Sequence, residues 1–474
     1  MIEVDGPQVL CRHDLLSNVV LAQIGDSQKA MLHRYVAAQL EDEADSTHSV
    51  SLIWESAEHW LSAAESVRAI ELLRRFGTYL MDVGMPEEAA LVLQRAGLLS
   101  NAPSERYAIG TEHARALMRA DNPGDAVTVL SDLRNLRSSI HPSPSPLDEV
   151  GLLTFRARWE NGESIPESTR ECLEALSCKS TSSAERVSAA TWLSMVADNL
   201  CDHVLAEQTN KVVLEDLLDD SINPIERLSF QMIHHCSVGD GKDAVIIAGQ
   251  LANYVRLHCV PIVAVRHLRN VAHVNRCHGS INFAISVIEE AFEIAKRLNK
   301  SSAMGSCACT LGSIFMQIGD NRTAADWVAR AVEAHTPGDR TVADTNMWSH
   351  RTELAIRLMR LDEAKQCYSN CLPGVTSAKC PRTDVRALSL EARIALLQDG
   401  RVSDSAIQSL SDVFEVTKYS CLQDFSAEAL ILSLESNGRI SEARDVARSY
   451  LSQERRDLSE LWVPLASVVR RVLQ

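Results

Sequence analysis

The densest group of potential metal ligands lies in one stretch, VRHLRNVAHVNRCH (265–278), where His267, His273, Cys277 and His278 follow closely on His258 and Cys259. His273 and Cys277 are four residues apart, so a helix sets both on one face. A structural zinc centre wants four nitrogen or sulfur ligands, commonly in CxxC or HxxxH spacing. That spacing is missing here, and Cys and His pack readily on helices, so no metal is expected. His234-His235-Cys236 is weaker still, because adjacent helical residues point in different directions. Nucleophilic catalysis finds no support: the chain has no GxSxG elbow. Paired carboxylates such as Glu87-Glu88 and Glu289-Glu290 fall in first turns or on solvated helical faces, where they complement the helix dipole. No enzymatic activity and no cofactor are expected.

Binding chemistry is easier to place. Trp192 and Trp348 lie on helices that would face a groove, where an indole anchors a peptide or ligand, although core packing is the commoner use of such a residue. Arg269 and Arg276 are one heptad apart on the stretch just described, close to one face, and could clamp a carboxylate. Arg266 sits on the same helix. Trp327 is expected to pack between helices. Groove candidates are therefore Trp192, Trp348, Arg269 and Arg276.

The elements that hold these residues repeat. GMPEEAALVLQRA (84–96), GDGKDAVIIAGQL (239–251), GSINFAISVIEEA (279–291), GDNRTAADWVARA (319–331) and NGRISEARDVARS (437–449) are copies of one phrase, a turn followed by a helix start. Its alanine falls at Ala89, Ala126, Ala206, Ala244, Ala284, Ala324, Ala364 and Ala443, with gaps of 37, 80, 38, 40, 40, 40 and 79 residues. The two long gaps are double periods, with weaker copies near Pro166 and Ala406. About ten units of close to 40 residues result.

Twelve residues before the alanine stand Gly77, Ala114, Ser194, Ala272 and Gly312, and seven after it Ala96, Ala291 and Ala331. Small residues at these places let the two helices of a TPR-like pair approach closely. Met232, Thr352, Leu251 and Tyr450 break the rule. Polar caps begin the second helix of many units, and the first helices carry helical periodicity, as in Leu311, Ile314, Phe315 and Ile318. No strand-like alternation appears from residue 45 onward. Because a helix pair cannot cover its own apolar face, neighbours must stack. The expectation is an all-α fold of TPR-like antiparallel helix pairs wound into a right-handed superhelix, with the first helix of each pair lining the groove.

Composition agrees. The 474 residues are 46% hydrophobic and only 5% aromatic, with 20 glycines and 14 prolines gathered between apolar stretches. A net charge of −16 repels phosphate backbones and argues against nucleic acid as a direct partner. Arg455-Arg456 and Arg470-Arg471 are short solvated runs without interleaved aromatics. No signal peptide or membrane-spanning run is recognised. The 13 cysteines fall inside helical patterns, as at Cys307, Cys309 and Cys367, and suggest free thiols in a reducing cytosol.

The first forty residues depart from the repeat. VLCRHDLLSNVVLAQI (9–24), AMLHRYVAAQLE (30–41) and AEHWLSAAESVRAIELL (57–73) follow in an order that resembles the end of the winged-helix module and the start of the TPR sensor in STAND-type regulatory ATPases. That family includes the large ATP-binding, maltose-regulator-like transcription regulators. The resemblance implies a nucleotide-sensing role for His13, beside Asp14. The family's GxxxxGK(S/T) phosphate loop is missing, and the chain ends in VPLASVVRRVLQ, a plain amphipathic helix in place of a basic helix-turn-helix. The chain would then be the sensor half of a larger or split regulator, or one whose ATPase part is lost.

Three regions are expected: a winged-helix remnant over 1–45, TPR-like pairs over 46–140, and a longer TPR-like array over 141–474, joined through the proline-rich SSIHPSPSPLDE (138–149). The expected function is that of a non-catalytic sensor of a signalling or transcription regulator, holding a protein, peptide or small inducer in the groove. The alternative is a free-standing TPR scaffold for complex assembly with no nucleotide link.

Overall fold

The computed structural model describes residues 2–5, 8–11, 23–47, 49–120, 122–140, 148–160, 169, 172, 176, 182–200, 202–220, 222–334, 342–378, 381–417, 423–452 and 463–474. The chain divides into two compact units, residues 1–144 and 145–474. Among the described residues no helix is long and apolar enough to cross a membrane.

The first unit holds an antiparallel hairpin, β1 (Ile2–Asp5) and β2 (Gln8–Cys11), with Val4 opposite Val9. Three helix pairs follow: α1 (Asp26–Thr47) with α2 (Val50–Ser62), α3 (Ser66–Asp82) with α4 (Pro86–Leu99), and α5 (Pro103–Arg119) with α6 (Pro123–Leu136). The span 1–45 thus contributes the hairpin and most of α1, and α1 packs along α2 as the helices of the later pairs do.

The second unit opens with α7 (Glu149–Glu160). Seven pairs come after it: α8 (Ser183–Leu200) with α9 (His203–Val213), α10 (Pro224–Ser237) with α11 (Gly241–His258), and α12 (Pro261–His278) with α13 (Ile281–Arg297). Next are α14 (Ser301–Gln317) with α15 (Asn321–Ala334), α16 (Val342–Arg357) with α17 (Leu361–Ala378), α18 (Pro381–Asp399) with α19 (Asp404–Val416), and α20 (Gln423–Ser436) with α21 (Ile440–Ser452). A last helix, α22 (Val463–Leu473), closes the unit. We call the first helix of each pair A and the second B.

The repeat phrase marks the place where A and B meet. All eight register alanines are fully buried, with 0% exposure from Ala89 to Ala443. The partner positions are buried too, including the large exceptions: Met232, Thr352, Leu251 and Tyr450 expose no more than 1%. Close approach is literal where glycine stands. A Cβ at Gly77 would lie 2.8 Å from Leu93 Cγ, and one at Gly312 2.8 Å from Val328 Cγ2, each on the facing B helix. One weak copy differs by a residue: Ile407, and not Ala406, is the buried position of α19.

The turn from A to B is equally regular. Gly84, Gly239, Gly319 and Gly438 each stand five residues before a register alanine with φ between 75° and 84°, a left-handed conformation that glycine adopts without a Cβ clash. Met359 holds the equivalent place with φ 59°. Oxygen caps then start the B helices: Asn122, Asp202, Asp240, Ser280 and Ser403 each accept from a backbone N–H three residues on. Such caps contribute about 1 kcal/mol each. In α13 the buried set Ala284, Val287, Ile288, Ala291, Phe292 and Ala295 forms one helical stripe, which a single pair cannot cover; α12 and α14 supply the cover.

From α12 onward each A helix touches the A helix of the next pair, and no two B helices come into comparable contact. Closer spacing on the A side curves this part of the unit with its A helices innermost. Helix α8 also touches α18, so the A face is walled from across the groove as well as from its own side.

Candidate partner-binding groove

The A face of the second unit carries a polar stripe that recurs with the repeat. On α12 it runs through Arg266, Asn270, His273 and Cys277; one period on, through Ser306, Thr310, Ser313 and Gln317 of α14. On α16 the same places hold Asn346, His350, Glu353 and Arg357. The N-terminal members are half-buried, as are His273 and Cys277, while Ser313, Gln317, Glu353 and the side chain of Arg357 are buried.

At the buried end four charges meet across three A helices. Glu353 Oε1 lies 2.5 Å from Arg357 Nε in its own helix, and Glu353 Oε2 lies 2.5 Å from Arg393 Nη1 on α18. Arg357 Nη2 reaches Glu428 Oε2 on α20 at 3.1 Å, and Arg393 Nη2 approaches Glu428 Oε1 at 3.8 Å. Two arginines and two glutamates cancel, which is the condition for keeping four ions out of water. The two guanidinium groups hold the Glu353 carboxyl below the usual carboxylate range against the opposing pull of burial. Nearby, Arg386 donates to Asn346 Oδ1 at 2.7 Å and lies 5.5 Å from the Phe425 ring.

Further toward α12, Arg276 is buried, with 8% exposure. Its Nη1 donates to Ser313 Oγ at 2.5 Å, its Nη2 lies 3.3 Å from His273 Nδ1, and Gln317 Nε2 donates to the Arg276 carbonyl at 3.2 Å. None of these partners is a carboxylate. His350 faces both Arg276 and Arg386, and burial together with these two cations holds its pKa well below the ordinary histidine value. Arg269 and Arg386 both act on the Cys309 thiol, which burial nonetheless pushes up to about 12. Residues of α12, α14, α16 and α18 thus converge on one patch.

The expected site residues are dispersed in different ways. Arg269 is half-buried on the patch and Arg276 is buried within it. Trp348 is half-buried on α16, with the Arg351 guanidinium 5.5 Å from its ring. Trp192 is 7% exposed and packs on Phe155 of α7, ring centroids 5.5 Å apart, with Nε1 unpartnered among the described residues. Trp327 packs edge-on to Phe292. His13 and Asp14 lie outside the described residues.

The histidine and cysteine group does not converge. His267 meets Ser229 Oγ of α10 at 3.4 Å, His273 and Cys277 approach each other at 4.0 Å, and the His278 ring stands where a Cβ on Gly241 would go. Among the described residues one other trio of potential ligands gathers, His235, Asp240 and Asp243. It is the capped turn into α11, where Asp240 accepts from the Asp243 N–H.

The buried quartet was not among the sequence candidates. The signal was there: TELAIRL, LEARIALL and SAEALIL each place isolated charges inside an apolar run, on three successive A helices.

Neither a family model nor a curated protein sequence matches the chain. Among solved structures it is similar to the crystal structure of Rap protein complexed with Competence and Sporulation Factor, at 15% identity and TM-score 0.51 over 78% of this chain and 97% of that one. It is also similar to the apo form of RapI, at 12% identity and TM-score 0.41 over 73% and 96% of the two chains. A third similarity is to the APC/C hetero-tetramer Cut9–Hcn1, at 12% identity and TM-score 0.37 over 98% and 99%. The first of these shows the fold class: an all-α array of TPR-like paired helices.

Proposed function

We propose that the chain is a free-standing, non-catalytic binding array, which holds a protein or peptide partner against the A-helix face of its second unit. The observation that carries this reading is the polar stripe itself. Half-buried Arg266, Asn270, Thr310, Asn346 and His350 repeat at one-period intervals on the inner face, a place where an array serving only its own stability would carry apolar contacts. Similarity of fold to a Rap protein solved in complex with Competence and Sporulation Factor supports the same reading. The free thiols among the described residues, buried or half-buried, fit a cytosolic setting.

A photo-crosslinking residue at Thr310, on the inner stripe, and another at Ala329, exposed on α15, provide the test. Full-length protein bearing each is irradiated in an extract of the producing cells. A discrete adduct from Thr310 and none from Ala329 is the expected result. The opposite pattern moves binding to the outer face and removes this proposal.

A second reading rests on the N-terminal phrases RHDLL, LHRYV and EHWL, which resemble the junction between winged helix and sensor in STAND-type regulators. It makes the array the sensor of a nucleotide-gated protein. ATP or ADP that changes the Thr310 adduct yield favours it; indifference to both nucleotides favours the free-standing scaffold.

A further inference from the structure

Arg276 stands out among the buried ions of the second unit. Arg357 and Arg393 are matched by Glu353 and Glu428, so their charges cancel where they lie. Arg276 is 92% buried by the same measure, yet no carboxylate reaches it among the described residues. Its contacts are a serine hydroxyl, an imidazole and a thiol, and its Nε has no partner among the described residues. Gln317, whose amide touches the same residue, leaves its own Oε1 unpartnered while only 6% exposed.

A buried guanidinium without a counter-charge is expensive: the desolvation of an unpaired ion costs several kcal/mol, by order of magnitude. The dipole of α12 offsets part of it, because Arg276 lies in that helix's last turn. That term amounts to no more than about 2 kcal/mol. Arg386, reaching in from α18, adds positive charge to the same patch. The molecule therefore maintains an electropositive, poorly solvated spot on the inner wall of its groove, with Arg269 two turns nearer the helix start.

We propose that this spot is an anion receptor, and that it takes a carboxylate of the bound partner, with Arg276 as the primary contact and Arg269 and Arg386 flanking it. The planar guanidinium fork suits a carboxylate in two-point contact. Ser313 and the half-buried His273 give the incoming oxygens hydrogen-bonding neighbours. An acidic side chain and a free C-terminus offer the same group, so a peptide delivers it from either source. The proposal rests on the groove reading above and specifies the chemistry of its ligand.

The test is thermal unfolding of the full chain at constant ionic strength in chloride. The probes are the tripeptide Ala-Ala-Ala with a free C-terminus, its C-terminal amide, the amide of Ala-Asp-Ala with a blocked N-terminus, and inorganic phosphate. Wild type is expected to gain on the order of 2 °C with the carboxylate probes and nothing with the plain amide. Arg276→Met, which removes the unpaired charge at similar volume, is expected to unfold at a higher temperature than wild type and to ignore every probe. Arg276→Lys keeps the charge and a weaker response. The free-acid and aspartyl probes distinguish a C-terminus from an acidic side chain.

Three outcomes overturn the proposal: an undiminished response in Arg276→Met, a response to phosphate alone, or a lower unfolding temperature in Arg276→Met with no probe response in wild type. The last would make Arg276 a structural cap of α12. Thr310 crosslinking in Arg276→Met separates the two claims. An adduct formed in undiminished yield leaves the groove reading standing while the anion receptor falls, and absence of any Thr310 adduct in a wild type that still responds to the carboxylate probes does the reverse.

Discussion

Arg393 on α18 donates through Nη1 to Glu353 Oε1 at 2.6 Å, bridging two A helices forty residues apart in sequence, with both side chains buried. One repeat length separates the two, so the bond joins equivalent faces of successive pairs. Removing either partner strands an ion: Glu353→Gln leaves Arg357 and Arg393 sharing only Glu428. A loss of about 3–5 kcal/mol is expected. Hydrogen exchange should show it as faster opening of α16, α18 and α20, with α3 and α4 in the other unit unaffected. Equal exchange in wild type and variant would mean that water already reaches these ions.

The contact between Gly312 and Val328 gives an opposite kind of prediction. A methyl group at Gly312 would fall 2.8 Å from Val328 Cγ2, so Gly312→Ala forces α14 and α15 apart or moves the valine off its rotamer. The expected cost is about 1–3 kcal/mol, read from urea midpoints. Adding Val328→Ala makes room, and the double variant should lose less than the two separate changes predict. Additive losses would contradict the packing described.

Much of this packing was legible beforehand. The forty-residue spacing of the register alanines located eight of the ten A–B contacts, because a fully buried position with a helix on its far side tolerates almost nothing larger. The rule that failed was size: Met232 and Tyr450 are large and fully buried. What recurs is the place and not the volume, and a larger residue is admitted where the facing helix has room for it. The shift from Ala406 to Ile407 has a local cause. Gly400, with φ 68°, stands seven residues before Ile407, where the other turns place glycine five before the register residue. That turn is two residues longer, and the core position moves with it.

The ion quartet was harder to foresee. Glu353 and Arg357 are four apart on one helix, a spacing usually read as a solvated surface pair. Only their partners on α18 and α20 take them out of water, and those lie 40 and 71 residues away. Arg276 posed the reverse difficulty. Its heptad relation to Arg269 placed both on one face, but burial without a counter-charge is a property of the neighbours and not of the spacing.

Acid should weaken the second unit before its carboxylates titrate. Burial and the nearby Arg266 and Arg156 lower the His267 pKa from 6.5 to about 4, and His350 is likewise depressed. Both are neutral in the fold, whereas the unfolded chain takes up their protons near pH 6.5. The stability that depends on their neutrality is complete above that pH and falls below it, the share of His267 being lost as pH approaches 4. For His267 the slope inside this window is about 1.4 kcal/mol per pH unit, and His350 acts in the same direction. Glu353 behaves as a lowered carboxyl: its contribution holds above its ordinary pKa of 4.5 and fades only below it. Urea midpoints between pH 7 and pH 4 should therefore fall in wild type and fall less in His267→Gln. An unchanged slope in that variant would remove His267 from the account.

Met359 offers the most direct test of the turn geometry. At the position where four other units place glycine, it adopts φ 59°, a left-handed conformation that brings Cβ against the neighbouring carbonyl. Its side chain is 73% exposed and so contributes little burial in return. Met359→Gly relieves the clash but gives the unfolded chain more freedom, and these two effects oppose each other. The strain of a non-glycine residue in this region is about 1–2 kcal/mol, and the entropic penalty of glycine is about 0.5–1 kcal/mol. Relief wins, and Met359→Gly is expected to stabilise the second unit by a few tenths to about 1 kcal/mol. Gly319→Ala, the mirror experiment in the preceding pair, pays the strain: φ is 84° there, and the added Cβ meets only ordinary contacts near 3.5 Å. A loss of about 1 kcal/mol from backbone conformation alone is expected. If both substitutions shifted urea midpoints in the same direction, the two turns would not share the conformation assigned to them.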